Sequence, residues 1–132
     1  MPITLDEADR IVAAAISKAR QLNIKASVAV CDAGGQLIAF KRLDGAFWAS
    51  GIAAQGKAIT SVAFASPSGD IAERADRPPV RAIMAIDGGR MVPGKGAVPI
   101  LSDGVVEGAC GVSGGTGDQD EACALAGVAA RS

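Results

Sequence analysis

The sequence predicts one α+β domain, in which a central antiparallel sheet is covered by helices. Three observations predict this class. Apolar residues recur at helical intervals near both ends of the chain, and two β-rich stretches are each divided by a turn rich in Asp and Gly. No internal repeat or linker indicates a second domain within the 132 residues. The predicted order is α β β α(α) β β β α, which gives five strands.

The first predicted elements are a helix and a hairpin. Thr4 and Glu7 have the spacing of a capping box, and apolar residues then recur every three or four positions over residues 5–22. Asn23 is a suitable left-handed cap for this helix. Strands over 27–31 and 36–43 follow, joined by Asp32-Ala33-Gly34-Gly35.

The middle of the chain is predicted to be helical. A long helix over 47–65 contains Gly51 and Gly56, which each cost about 1 kcal/mol relative to Ala, so a backbone or a ligand should approach closely there. Shorter predicted elements follow: a helix over 70–75, a break at Arg77-Pro78-Pro79, a helical turn over 80–86 and a strand over 89–92.

The last part of the chain predicts a hairpin and a helix. Strands over 97–101 and 105–113 flank Asp103-Gly104, which is a strong hairpin signal. After Gly114-Gly115, Thr116 and Gln119 repeat the spacing of a capping box, so a helix over 117–130 is predicted. Asp118, Asp120 and Glu121 then lie in its first turn, where the helix dipole favours carboxylates.

Small residues dominate the composition. The 27 Ala and 17 Gly make up a third of the chain, which has one Trp, three Phe and no Tyr. Elements must therefore approach closely, and part of the stability is predicted to come from contacts in a homo-oligomer.

Charge and cysteine content limit the classes of function. Net charge is −1 and the cations are scattered, so neither a nucleic-acid nor a membrane partner is predicted. The N-terminus lacks the pattern of a signal peptide, and no apolar run reaches about 20 residues. Cys31, Cys110 and Cys123 form neither a C-x-x-C pair nor an even framework, which suggests reduced thiols in the cytoplasm, although a processed exported protein would look the same. Cys31 and Cys110 lie in predicted strands and are predicted to be buried.

Several motifs resemble the GlcG/HbpS family, which is related to the PduO C-terminal domain. They are Val-Cys-Asp-Ala-Gly-Gly at 30–35, Lys-Arg-Leu-Asp-Gly at 41–45, Gly-Lys-Ala-Ile-Thr at 56–60, and the run from Val-Pro-Ile through Val-Val-Glu-Gly-Ala and Gly-Val-Ser-Gly-Gly to Asp-Gln-Asp-Glu at 98–121. The resemblance covers nearly the whole chain. It implies a profilin-like sandwich with a five-stranded sheet, and haem or a related tetrapyrrole as ligand.

The absence of His opposes tight haem binding and removes the commonest zinc ligand and general base. Haem is therefore allowed but disfavoured as a cofactor, and no metal site is predicted. Acid-base chemistry would have to use Asp, Glu, Lys, Cys or water. Ala97 stands where relatives often have a second Gly, which weakens the transfer of ligand contacts to the loop that contains Lys95.

Lys57 is the first candidate site residue. It interrupts a small, apolar helical stretch, and it is either a solvated side chain or a desolvated cation that holds a carboxylate or carbonyl. Thr60, in the same family motif, and Lys95 are assigned to ligand binding with it.

Arg42 and Asp44 follow the second strand. Arg42 could clamp an anionic ligand while Asp44 orients it or a water molecule. The alternative, which the sequence favours, is a structural Arg-Asp pair in which Asp44 starts a turn.

Glu107 interrupts an apolar strand, so it either faces solvent or is a carboxylate of raised pKa in a cavity. Gly114 and Gly115 precede a helix N-terminus and could cradle an anion with their backbone N–H groups. Their alternative role is tight packing and turn geometry.

These residues support three hypotheses. The first is an oligomeric protein that binds a compact anionic metabolite or a haem-like tetrapyrrole. The second follows from the family resemblance: a metal-free lyase that acts on a hydroxylaminobenzoate-type substrate and releases ammonia. Its catalytic residues would be Glu107, Asp44 and Lys57, with Arg42 or Lys57 as carboxylate clamp. The third is an accessory subunit of a metabolic enzyme.

Overall fold

The computed structural model describes every residue from Met1 to Ser132 and contains five helices and four strands. Their bounds are α1 Leu5–Gln21, β1 Ser27–Asp32, β2 Leu37–Arg42, α2 Trp48–Phe64, α3 Ser68–Ala72, α4 Pro78–Ile86, β3 Ala97–Ser102, β4 Val105–Ser113 and α5 Gly117–Ala129. The predicted α+β class is confirmed, and both long helices lie within one residue of their predicted bounds.

The four strands form one antiparallel sheet in the order β2-β1-β4-β3. The predicted fifth strand, over 89–92, is wrong. The N–H of Val92 donates to the carbonyl of Gly56 on α2 at 3.1 Å, so this segment packs on a helix and not on the sheet edge. Positive φ angles at Gly88 and Gly89 turn the chain before this contact, and Pro93 has no N–H to offer a strand.

Two short helices begin earlier than predicted. The Arg77-Pro78-Pro79 sequence predicts a break, but Pro78 and Pro79 are the first residues of α4. Proline suits this position because N–H groups in the first turn have no helical partner in any case. Similarly, α3 begins at Ser68, two residues before the predicted start.

Helices α1 and α5 pack together on one face of the sheet, and α2 packs on the other. The capping boxes predicted for α1 and α5 are confirmed, with Thr4 paired to Glu7 and Thr116 paired to Gln119. The main core lies on the α1 and α5 face, and its largest buried side chains include Ile11, Val28, Val30, Ile100 and Val112.

The α2 face is packed backbone against backbone. A Cβ atom at Gly111 of β4 would lie 2.1 Å from the carbonyl oxygen of Ala54, and one at Gly56 would lie 2.8 Å from the carbonyl oxygen of Arg90. These contacts explain why α2 tolerates glycine, since its backbone approaches its neighbours too closely for a side chain.

Large apolar side chains remain on the surface of the single chain. Phe47 is 85% exposed and Trp48 73% exposed at the start of α2, close to exposed Ile52. The apolar residues Ile83 and Ile86 of α4 are also exposed, and α4 makes at most marginal contact with the other elements. No helix has both the length and the apolarity needed to span a membrane.

Candidate functional site

Most of the predicted site residues lie at one end of the sheet, where β2 and β4 finish and β1 and β3 begin. Ser27 of β1 pairs with Arg42 on one side and with Ser113 on the other. Glu107 lies six residues back along β4, roughly 20 Å from Ser113 at about 3.3 Å per residue. It therefore cannot act on a small ligand together with Arg42 in the same chain.

Lys57 is a buried cation, 8% exposed. Its Nζ donates to the carbonyl of Val112 at 3.2 Å and to Oδ2 of Asp120 at 3.3 Å. The interpretation of Lys57 as a solvated side chain is therefore wrong. The carboxylate that it holds belongs to the protein's own Asp120.

Asp120 joins Lys57 to the bend at Gly114 and Gly115, which we call the glycine bend. It is 2% exposed, and its Oδ1 accepts the N–H of Gly115 at 2.8 Å. Sequence reasoning placed this carboxylate in the dipole of the first helical turn and missed its partner. The position of Asp120 in the sequence could have indicated this partner. Asp120 lies on the same helical face as buried Cys123, Ala124 and Gly127. A carboxylate on a buried face needs a cation.

The glycine bend uses its own donors internally. The N–H of Gly115 goes to Asp120, and that of Thr116 goes to Oε1 of Gln119 at 2.9 Å. A Cβ at Gly114, whose φ is +144°, would lie 2.3 Å from the carbonyl oxygen of Lys25. This geometry favours the turn-and-packing role of Gly114 and Gly115, because an anion would have to displace Asp120 to reach the Gly115 N–H.

Thr60 and Lys95 position the 92–97 segment over Lys57. The Thr60 hydroxyl donates to the carbonyl of Gly56 at 2.8 Å, with the carbonyl of Val92 at 3.2 Å. On the surface, Lys95 Nζ lies 2.6 Å from Oδ1 of Asp118. This hydrogen bond raises the pKa of Lys95 and lowers that of Asp118. Both predicted ligand residues thus have partners within the chain.

Glu107 lines an open hollow of about 340 Å³, but it neither faces bulk solvent nor has the raised pKa expected from the sequence. It is 7% exposed, and Oε1 lies 2.6 Å from Nη1 of Arg131. The N-terminal ammonium group and the Arg131 guanidinium lower its pKa, contrary to the raised value expected in an uncharged cavity. Arg131 also binds Glu7 of α1 at 2.8 Å. Glu107 is therefore part of an ion-pair network that joins β4, α1 and the residues after α5.

Arg42 and Asp44 line an open hollow of about 380 Å³. Arg42 Nη1 donates to the carbonyl of Ala46 at 2.9 Å and forms no ion pair with Asp44. The structural Arg-Asp pair that the sequence favoured is therefore absent. The remaining lining residues are Ala13, Ile16, Arg20, Lys41 and Leu43.

A second hollow, of about 270 Å³, adjoins the first and shares Arg20, Leu43 and Asp44 with it. Lys25, Asn23 and Ile24 complete its lining. We call the two hollows together the basic groove. Its four cations, Arg20, Lys25, Lys41 and Arg42, are exposed and form no ion pair within the chain.

Sequence reasoning missed Arg20 and Lys25 as members of this groove. Arg20 lies in the last turn of α1, where a cation is expected simply to complement the helix dipole. Lys25 lies in the loop before β1, and only the fold brings it beside Gly45, where a Cβ would lie 3.1 Å from its Nζ. The signal available from sequence was the Lys-Arg-Leu-Asp-Gly motif, which supplies Lys41, Arg42 and Asp44 alone.

The residues of this chain fit haem poorly. Among the groups that hold haem iron in proteins, His and Tyr are absent from the sequence and Met usually acts beside a His. The three cysteines are buried, and burial raises the pKa of Cys31 and of Cys123 to about 11. Thiolates are therefore disfavoured, and the apolar hollow beside Cys31 has a volume of only about 20 Å³.

Comparisons with known proteins match nearly the whole chain. The family model described as Haem degrading protein HbpS-like matches residues 3–129. An uncharacterized 15.0 kDa protein of Citrobacter freundii, from the dhaT-dhaS intergenic region, is 32% identical over 120 residues, which are 89% of this chain and 84% of that protein.

Two solved structures show the same fold. A double mutant of HbpS from Streptomyces reticuli superposes with a TM-score of 0.87 at 32% identity, covering 98% of this chain and 86% of that one. A PduOC:Heme complex superposes with a TM-score of 0.88 at 26% identity, covering 98% and 95%. The fold and the site define a small α+β domain with a basic groove at one end of its sheet. The chain belongs to the HbpS-like family, as its motifs indicated.

Proposed function

We propose that the protein binds a compact anionic small molecule in the basic groove. One observation carries this proposal: exposed cations without ion-pair partners line two adjoining hollows, and Asp44 is the sole acidic residue in their lining. The side chain of Lys41 leaves β2 on the face covered by α1, because its strand partner Val28 lies in the core there. Arg42 leaves β2 on the opposite face and donates to the carbonyl of Ala46 at 2.9 Å.

The walls of the groove favour an organic anion over a bare ion. Ala13, Ile16 and Leu43 supply apolar surface beside the cations in the larger hollow. A ligand with a small hydrocarbon part could bury it there while its anionic group contacts Lys41 or Arg20. Haem would bring suitable propionates, but the chain offers its iron no strong accessible ligand, so we propose an anionic metabolite in preference to a tetrapyrrole.

Isothermal titration calorimetry with benzoate and with propionate tests the proposal. We expect Lys41→Gln to weaken binding at least about tenfold, since a charge-assisted contact is worth about 1.5–3 kcal/mol. Arg81→Gln is the matched control, because Arg81 is exposed on α4, outside the groove. Equal affinity in wild type and Lys41→Gln, or no binding of either anion, would overturn the proposal.

A lyase that acts on a hydroxylaminobenzoate-type substrate is the second candidate. Arg42 and Asp44 border the same hollow and could provide a carboxylate clamp and an acid-base group. Glu107 and Lys57 are held by Arg131 and Asp120, so catalysis within one chain would depend on Asp44. Ammonia release that is lost in Asp44→Asn and retained in Glu107→Gln would support this version.

We also propose that the protein is a homo-oligomer. Two of its four aromatic side chains, Phe47 and Trp48, are exposed in the single chain beside Ile52. In a chain so poor in large apolar residues, a second copy is the partner that would bury them. Stable co-purification with a metabolic enzyme would instead support the accessory-subunit role. The cytoplasmic location stays a prediction, consistent with three free thiols.

A further inference from the structure

The two hollows of the basic groove differ in their cations. Lys41 and Arg42 line the larger hollow alone, and Lys25 lines the smaller one alone. Arg20 and Asp44 border both. The groove therefore has a cationic region at each end, and the Asp44 carboxylate and the Arg20 guanidinium lie between them.

The turn after β2 keeps the two cationic regions apart. Arg42 is fixed on one side by its bond to the carbonyl of Ala46 at 2.9 Å. On the other side, Lys25 lies against Gly45, with Nζ at 3.1 Å from the position of a Cβ there. A small monoanion can fill one hollow and leave the cation of the other without a partner.

We propose, resting on the anion-binding function above, that the ligand is a dianion with an anionic group at each end. Between those ends it carries a hydroxyl or ammonium group. The end groups contact Lys41 in one hollow and Lys25 in the other. The central group donates a hydrogen bond to Asp44, the one carboxylate that borders both hollows.

The test compares dianions of equal charge and different length. Calorimetric titrations with malonate, glutarate and adipate separate geometry from net charge, because the three diacids carry the same charge and malonate holds its two carboxylates closest together. We expect at least about tenfold tighter binding of the best longer dianion than of malonate. Lys25→Gln should reduce that dianion to the affinity of malonate, whereas Lys18→Gln, on α1 outside the groove, should not.

The central group is tested with glutarate and its 3-hydroxy derivative. We expect the hydroxyl to tighten binding severalfold in wild type and to have no effect in Asp44→Asn. The inference would be overturned if the longer dianions bind no tighter than malonate, or if their tighter binding survives Lys25→Gln. Binding of propionate would in that case leave the proposed function standing. Failure of every anion, propionate included, would overturn both.

Discussion

Lys57 and Asp120 form a buried ion pair, 3.3 Å from Nζ to Oδ2, that ties α2 to the first turns of α5. The same carboxylate accepts the N–H of Gly115 through its other oxygen, at 2.8 Å. The pair therefore fixes the bend from which α5 begins. That bend packs in turn against the backbone of Lys25, at one end of the basic groove.

Asp120→Ala should destabilise the protein by about 3–5 kcal/mol, because it leaves the Lys57 ammonium buried without a counter-charge. Urea unfolding followed by circular dichroism measures the loss. Asp118→Ala is the matched control, since it removes a carboxylate from the same helical turn whose partner Lys95 is exposed to water. Comparable losses in the two variants would contradict the importance of the buried pair.

Glu7 makes stability depend on acidic pH. Its bond from the Thr4 backbone and the contact with Arg131 lower its pKa from 4.5 to about 2. A carboxyl group whose pKa is lowered by folding stabilises the folded state fully above about pH 4.5, and this stabilisation is lost as the pH falls through about 2. Melting temperatures of wild type and Glu7→Gln should therefore differ at neutral pH and converge near pH 2. Parallel curves from pH 6 to that point would contradict this assignment.

The thiols should be inert in the folded protein. All three cysteines are free and buried, and burial raises the pKa of Cys31 and of Cys110, so little thiolate exists at pH 8. A thiol-specific disulfide reagent should react slowly with native protein and label three groups rapidly after addition of urea. Rapid labelling of one group without denaturant would show an accessible thiol and refute the placement of that residue.

Trp48 reports on self-association because it is the sole indole in the chain. If copies associate through Phe47, Trp48 and Ile52, the fluorescence maximum of the native protein should lie at a shorter wavelength than that of a solvent-exposed indole. Ile52→Glu should move it to the red and reduce the mass measured by light scattering. Leu125→Glu, at an exposed apolar position on α5, serves as control. A monomeric wild type at all concentrations would contradict the oligomer proposal.

Local signals in the sequence were enough for most of the fold. The capping boxes at Thr4 and Thr116 and the turn at Asp103-Gly104 depend on residues within a few positions of one another. The 89–92 segment was mispredicted because its partner, Gly56 on α2, lies far away in sequence. Strand propensity alone does not show whether a segment meets a sheet or a helix.

The site was predicted less completely for the same reason. Lys57 was selected correctly as an unusual cation, but its partner Asp120 lies 63 residues further along the chain. Arg20 and Lys25 each have an ordinary local explanation, and only tertiary structure brings them beside Arg42. Glu107 was assigned to catalysis because its partner Arg131 lies beyond the predicted last helix.

The central claim is that the basic groove holds an anionic small molecule. Native mass spectrometry of the protein purified from its own host, beside Lys41→Gln prepared in the same way, tests it most directly. We expect a retained small acid on the wild type that is lost from the variant, at an unchanged assembly mass. A retained neutral compound or haem, or an acid bound equally by both proteins, would contradict the account.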